Sequence, residues 1–99
     1  MAYTRKLIQT RPNTSVDFFT QNADGVTKTN EYISAGKITA DGIVDVISED
    51  QLTKTSTMVF GTQDDYLSYG AEAVIEQNKN ARITHCQNNS ISWSVEENT

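Results

Sequence analysis

One cysteine, one proline and one histidine are all that the 99 residues hold of those three types. A lone cysteine, Cys86, cannot close an internal disulfide. It also falls short of the roughly four Cys or His ligands that a structural zinc site needs, and adjacent His85 and Cys86 point about 100° apart on a helix, so no metal is expected. No stretch approaches the roughly 20 apolar residues that cross a bilayer, and no membrane partner is expected. MAYTRKLIQTRP at the start carries basic residues but no apolar run of signal-peptide length behind them, so the chain is expected to be cytoplasmic. Positive charge is scarce too: eight Lys and Arg stand against thirteen Asp and Glu, for a net charge of −5. Arg5, Lys6 and Arg11 lie close together, but Arg5 and Lys6 take opposite faces of a strand. They make no basic stripe, and nucleic acid is not an expected partner. Neither a Gly-rich phosphate loop nor a GxSxG element is present, and Asp24-Gly25 and Asp41-Gly42 do not continue as EF-hand loops. No cofactor is expected.

What is present is a polar but globular composition. Apolar residues make up 36% of the chain, below the usual share of about 45–50%, and Thr, Ser and Asn fill the gap rather than charge. The aromatics fall at periodic apolar positions, unlike those of a disordered segment. Residues 1–99 therefore read as a single domain, with 95–99 as a frayed tail.

Along the chain, residues 2–11 alternate and read as a strand closed by Pro12. NTSVDFF reads as a helix start, with Thr14 as cap and Asp17 three residues on. Val16, Phe19, Ala23 and Val26 continue at helical spacing, as one helix weakened at Gly25 or as two short ones, the second over TKTNEYISAG with Tyr32 and Ile33, and Gly36 supplies a stop. Residues 37–48 form a second strand with a bulge or late start at Asp41-Gly42, and 54–60 a third. Thr62 and Asp65 then open a helix expected to run to about His85, with Gly70 suggesting a close approach or a kink and with Leu67, Ala71, Val74/Ile75 and Asn78 as its inner stripe. SISWSVEE alternates strictly and closes the chain as a strand. The order strand, helix, strand, strand, helix, strand is that of an α+β, ferredoxin-like βαββαβ sandwich. Its four-stranded antiparallel sheet carries both helices on one face.

IVDVIS, residues 43–48, carries β-branched apolar residues on both strand faces. Helices cover one face only, and a contiguous apolar patch is uncommon on a soluble monomer. A homodimer through the open sheet face is therefore expected.

The strand ending in Arg-Pro-Asn-Thr and followed by VDFF, then SEDQLTKTSTMVF and TQDDYLSYG, resembles small proteins of marine phage and marine metagenomes. These segments are also similar to the dimeric α+β barrel superfamily, which includes antibiotic-biosynthesis-type monooxygenase domains. That resemblance spans nearly the whole chain by order and spacing. It implies a sheet packed on its partner's to close a barrel, and a cleft between helices and sheet that holds substrate or haem.

Three carboxylate doublets, Glu49-Asp50, Asp64-Asp65 and Glu96-Glu97, fall in a turn, a helix cap and the tail, each with an ordinary structural role. Asp45, mid-strand, is expected at an exposed edge or paired with Arg5 or Lys6. The candidate ligand-binding residues are Tyr32, Tyr66, Tyr69, His85 and Trp93, amphipathic groups that suit an apolar small molecule in the cleft. No residue stands out as catalytic. The leading expectation is a non-enzymatic binding protein. A cofactor-free monooxygenase or isomerase and a phage structural or interaction protein are the alternatives, and a haem-degrading role is disfavoured with His85 as the sole histidine.

Overall fold

A computed structural model of the chain describes residues 2–98. Its first strand, β1 (Tyr3–Thr10), lies inside the sheet and pairs antiparallel with both β3 (Thr53–Phe60) and β4 (Ser92–Glu97). The short β2 (Val44–Ile47) adds antiparallel to the outer side of β3, so the strand order is β2-β3-β1-β4. Between the strands run α1 (Ala23–Ser34), α2 (Gln63–Ala71) and α3 (Ala73–Asn88). The expected βαββαβ order holds, with the second helix divided in two.

Register assigns the faces, because directly paired antiparallel residues share one. Leu7 stands opposite Ser56 and Val95, and Gln9 opposite Lys54 and Trp93. Arg5, Leu7 and Gln9 face the helices, where Leu7 and Gln9 are buried. Thr4, Lys6, Ile8 and Thr10 face away. The core lies on the helix side, where Tyr32, Ile38, Phe60 and Tyr69 form a buried cluster. Tyr69 meets Phe60 at 5.5 Å between ring centroids and Tyr32 edge-on at 5.2 Å.

NTSVDFF is not helical. The Asn13 side chain accepts the Ser15 N–H at 2.9 Å, an Asx turn that competes with a helix start at Thr14. Arg11 then takes the Val16 carbonyl at 2.9 Å and places its guanidinium 4.6 Å from the centre of the Phe18 ring. Residues 17–22 continue as an extended strap, and α1 begins only at Ala23, capped by Asn22. The helix does stop at Gly36, whose φ of 74° is the left-handed conformation that favours glycine.

The strand expected over 37–48 is interrupted. Ile38 bridges to Phe60, then the Gly42 N–H bonds the Thr39 carbonyl at 2.9 Å, and the chain rejoins the sheet at Val44. The helix expected to run through to His85 breaks at Glu72, whose ψ of 130° is extended. Leu67 consequently falls outside the inner stripe and is 56% exposed. The tail expected to fray from residue 95 is held as far as Glu97, which pairs with Arg5 of β1.

Candidate functional site

Between the helices and the sheet lies a cleft of about 640 Å³, within the range of roughly 300–1,000 Å³ typical of small-molecule sites. Leu7 of β1 and Met58 of β3 contribute to its apolar lining, and Trp93 and Val95 come from β4. Tyr66, Tyr69 and Ile75 line it from the helices, and Phe19 from the strap. The cleft is possible because the helical layer packs closely over the Phe60 end of the sheet and leaves the edge strands open. Ile43, Trp93 and Val95 are accordingly large apolar residues with exposed surface, although they line the helix side.

Of the five aromatic and histidine candidates, Tyr66, Tyr69 and Trp93 meet at this cleft. Tyr69 is anchored there by its hydroxyl, 2.7 Å from the Thr29 hydroxyl. Tyr32 belongs to the packed core instead, donating to the Glu72 carboxylate at 2.8 Å. His85 also lies outside the cleft. Its Nε2 sits 2.7 Å from the Asp17 carbonyl, which can only accept, so Nε2 carries a proton and ties the strap to α3.

Tyr32 carries a pH prediction. Burial, then the hydrogen bond to Glu72, pushes its phenol up to about 12, against an ordinary value near 10. Between those values the unfolded chain releases a proton that the folded chain retains, so stability should fall as pH rises through that window and be unaffected by this group below it. Denaturant midpoints from pH 9 to 12, compared with those of Tyr32→Phe, should show a shallower decline in the variant.

The polar lining was not legible as a site. Asn78, Arg82 and Cys86 follow one another at four-residue spacing along α3 and are all buried, continuing the stripe that begins at Ile75. Extending the expected stripe one more step past Asn78 would have reached Arg82. Four cationic side chains, Arg5, Lys54, Lys79 and Arg82, line the cleft against two carboxylates, Asp45 and Glu97. Both carboxylates have partners. Asp45 lies on the edge strand β2 with its side chain 53% exposed, as one of the two expectations had it, and pairs with Lys54 at 3.9 Å, not with Arg5 or Lys6, because β3 separates β2 from β1. Glu97 accepts from the Tyr3 hydroxyl at 2.9 Å.

Arg82 is different. It is only 8% exposed, and its Nε is enclosed with no hydrogen-bond partner among the described residues. Its guanidinium carbon stands 5.3 Å from the centre of the Trp93 ring. Burial, and then the charge of Arg5, pull its pKa below the ordinary arginine range. Cys86 beneath it is a buried thiol with its pKa raised by burial, 3.8 Å from the Gln9 side-chain oxygen. Among the described residues no cluster of three or more His, Cys, Asp and Glu groups is arranged to hold a metal ion. No described helix is long and apolar enough to cross a membrane.

This architecture recurs in solved structures. The chain superposes on SnoaB, a cofactor-independent oxygenase from Streptomyces nogalater, with a TM-score of 0.66 and 10% identity, covering 99% of this chain and 91% of that one. It superposes on a candidate antibiotic biosynthesis monooxygenase from Caulobacter crescentus CB15 with a TM-score of 0.55 and 8% identity, over 96% and 86% of the two chains. A third likeness, to a candidate antibiotic biosynthesis monooxygenase from Nitrosomonas europaea, has a TM-score of 0.51 and 8% identity over 95% and 88%. The fold is thus a ferredoxin-like α+β fold, shared with these structures. These likenesses do not reach the marine phage and metagenome proteins of the sequence resemblance. No family model matches the chain, and no curated protein matches it.

Proposed function

We propose that this chain is a homodimeric binding protein that takes a flat, largely apolar small molecule between its helices and its sheet. The observation behind this reading is the cleft itself, about 640 Å³ and walled by Trp93, Tyr66 and Tyr69. Flat aromatic walls favour a flat ligand through offset or edge-on ring contacts. The dimer half of the reading is supported by the face away from the helices. Val44 and Val46 there are 47% and 59% exposed, and Val59 and Ile8 share that face.

A second reading, a cofactor-free oxygenase, is favoured by the likeness over almost the whole chain to an oxygenase of that kind. It would need a base at the cleft to generate a substrate carbanion or enolate. Both carboxylates in the lining are already engaged, Asp45 by Lys54 and Glu97 by Tyr3, so binding remains the leading reading.

Native mass spectrometry of the purified protein tests both halves. It should report two copies per particle and a small molecule retained from the host. Gly70 lines the cleft, and a side-chain carbon added there meets nothing within 4 Å. Gly70→Leu should therefore fold, gain up to about 1 kcal/mol of helix propensity, and lose the retained molecule. Single copies at micromolar concentration would remove the dimer, and undiminished retention in Gly70→Leu would move the ligand elsewhere.

A further inference from the structure

A buried cation without a partner is unusual, because desolvation is normally offset by an ion pair or hydrogen bonds. Among the described residues Arg82 has neither. Its Nε is enclosed and unbonded, no described carboxylate stands within ion-pairing distance, and the charge that acts on it most is another cation, Arg5. The chain keeps this arrangement inside an acidic molecule, of net charge −5, whose cleft nevertheless carries twice as many cations as carboxylates. A positive recess with low-dielectric walls concentrates anions. Arginine also differs from lysine in presenting a rigid planar fork that matches a carboxylate through two parallel N–H donors. The guanidinium lies over the Trp93 ring, and the rest of that indole lines the cleft, where a ligand ring can pack.

We propose that the ligand of this cleft is an aryl carboxylate, its carboxylate held by Arg82 with Arg5 as a second positive charge, and its ring system lying along Trp93. This rests on the binding reading above and names the ligand class for the same cleft. The two lining carboxylates do not compete for the fork, since Asp45 is held by Lys54 and Glu97 by Tyr3. The ligand supplies the counter-charge that the fold leaves out. In its absence Arg82 is a cost to the folded state, which is the usual relation between a preformed site and stability.

Two isosteric probes separate this proposal from the reading it rests on: 2-naphthoate, and its neutral analogue 2-naphthamide. Calorimetric titration of the intact protein should give 2-naphthoate an affinity at least about tenfold greater than that of the amide, as expected for hydrogen bonds to a charged group in a buried setting. In Arg82→Met the preference should vanish. Arg82→Lys should restore only part of it, because the charge returns without the fork. The melting temperature of ligand-free Arg82→Met should equal or exceed that of the parent, since an unpaired buried charge has been removed. Equal affinity for the two probes in the parent, or a preference that survives in Arg82→Met, overturns the anion assignment and leaves the binding reading standing. Failure of both probes to bind overturns both. A marked fall in melting temperature in Arg82→Met gives Arg82 a structural role and overturns the proposal.

Discussion

Phe60→Ala is expected to cost about 3–5 kcal/mol, a large part of the roughly 5–15 kcal/mol that holds a domain of this size together. Phe60 has 0% of its surface exposed and ends the β3 strand. Its ring lies 5.2 Å edge-on from Tyr66 and 5.5 Å from Tyr69, its backbone pairs with Tyr3, and Ile38 bridges to it from the other side. Truncation would leave a void that rigid neighbours on both the sheet and α2 cannot fill, so the cavity cost adds to the lost burial. Urea denaturation at fixed protein concentration measures the loss; the concentration must be held because self-association would add to apparent stability. Phe60→Leu, which keeps most of the apolar volume, should lose clearly less. A loss below about 1 kcal/mol for Phe60→Ala would mean that the core is not centred here.

Gly25→Ala should destabilise the chain, against the sign that helix propensity alone assigns. In an exposed helix interior alanine is worth up to about 1 kcal/mol more than glycine. Gly25 instead sits buried in the first turn of α1, where an added carbon would stand 2.5 Å from the Gln21 amide nitrogen and 2.6 Å from that of Asn78. Those two amides are occupied: Gln21 bonds the Thr29 hydroxyl at 3.2 Å, and Asn78 bonds the Asn22 side chain at 3.1 Å while accepting the Asn22 N–H at 3.0 Å. Moving them aside disturbs the helix cap and the edge of the cleft together. The expected cost is about 1–3 kcal/mol, the range for overpacking a well-filled site. A double-mutant cycle with Asn78→Ala is the sharper measurement. With the Asn78 amide gone, the cost of Gly25→Ala should shrink, whereas strict additivity would show that the two residues do not meet.

Much of the fold was readable because it depends on local periodicity. The strict alternation of SISWSVEE and the β-branched run TKTSTMVF marked their strands, and Thr62 three residues before Asp65 marked the start of α2. The same alternation placed Trp93 on one face with Val95, and both do line the cleft. What failed were helix ends set by distant contacts. Thr14 was read as the helix cap, whereas Asn22 caps α1 and is held by Asn78, 56 residues away. Nothing near residue 14 reveals that. Gly70 suggested a kink in the second helix, but not that the chain breaks into two helices at Glu72. There the carboxylate is engaged by the Tyr32 hydroxyl from 40 residues earlier, and the backbone turns extended.

Sequence alone therefore determined the order of elements, the antiparallel sheet with its helices, and the aromatic character of the interior, because spacing along a strand or helix dictates which side chains share a face. Only the tertiary structure decided that Tyr32 and His85 stand apart from Tyr66, Tyr69 and Trp93. It also decided that Arg5, Gln9 and Arg82 turn inward to the same cleft as Asn78. A polar side chain on a helix reads as solvated until the opposing sheet is in place. Its burial comes from strands distant in the chain closing over it, and no local pattern encodes that closure.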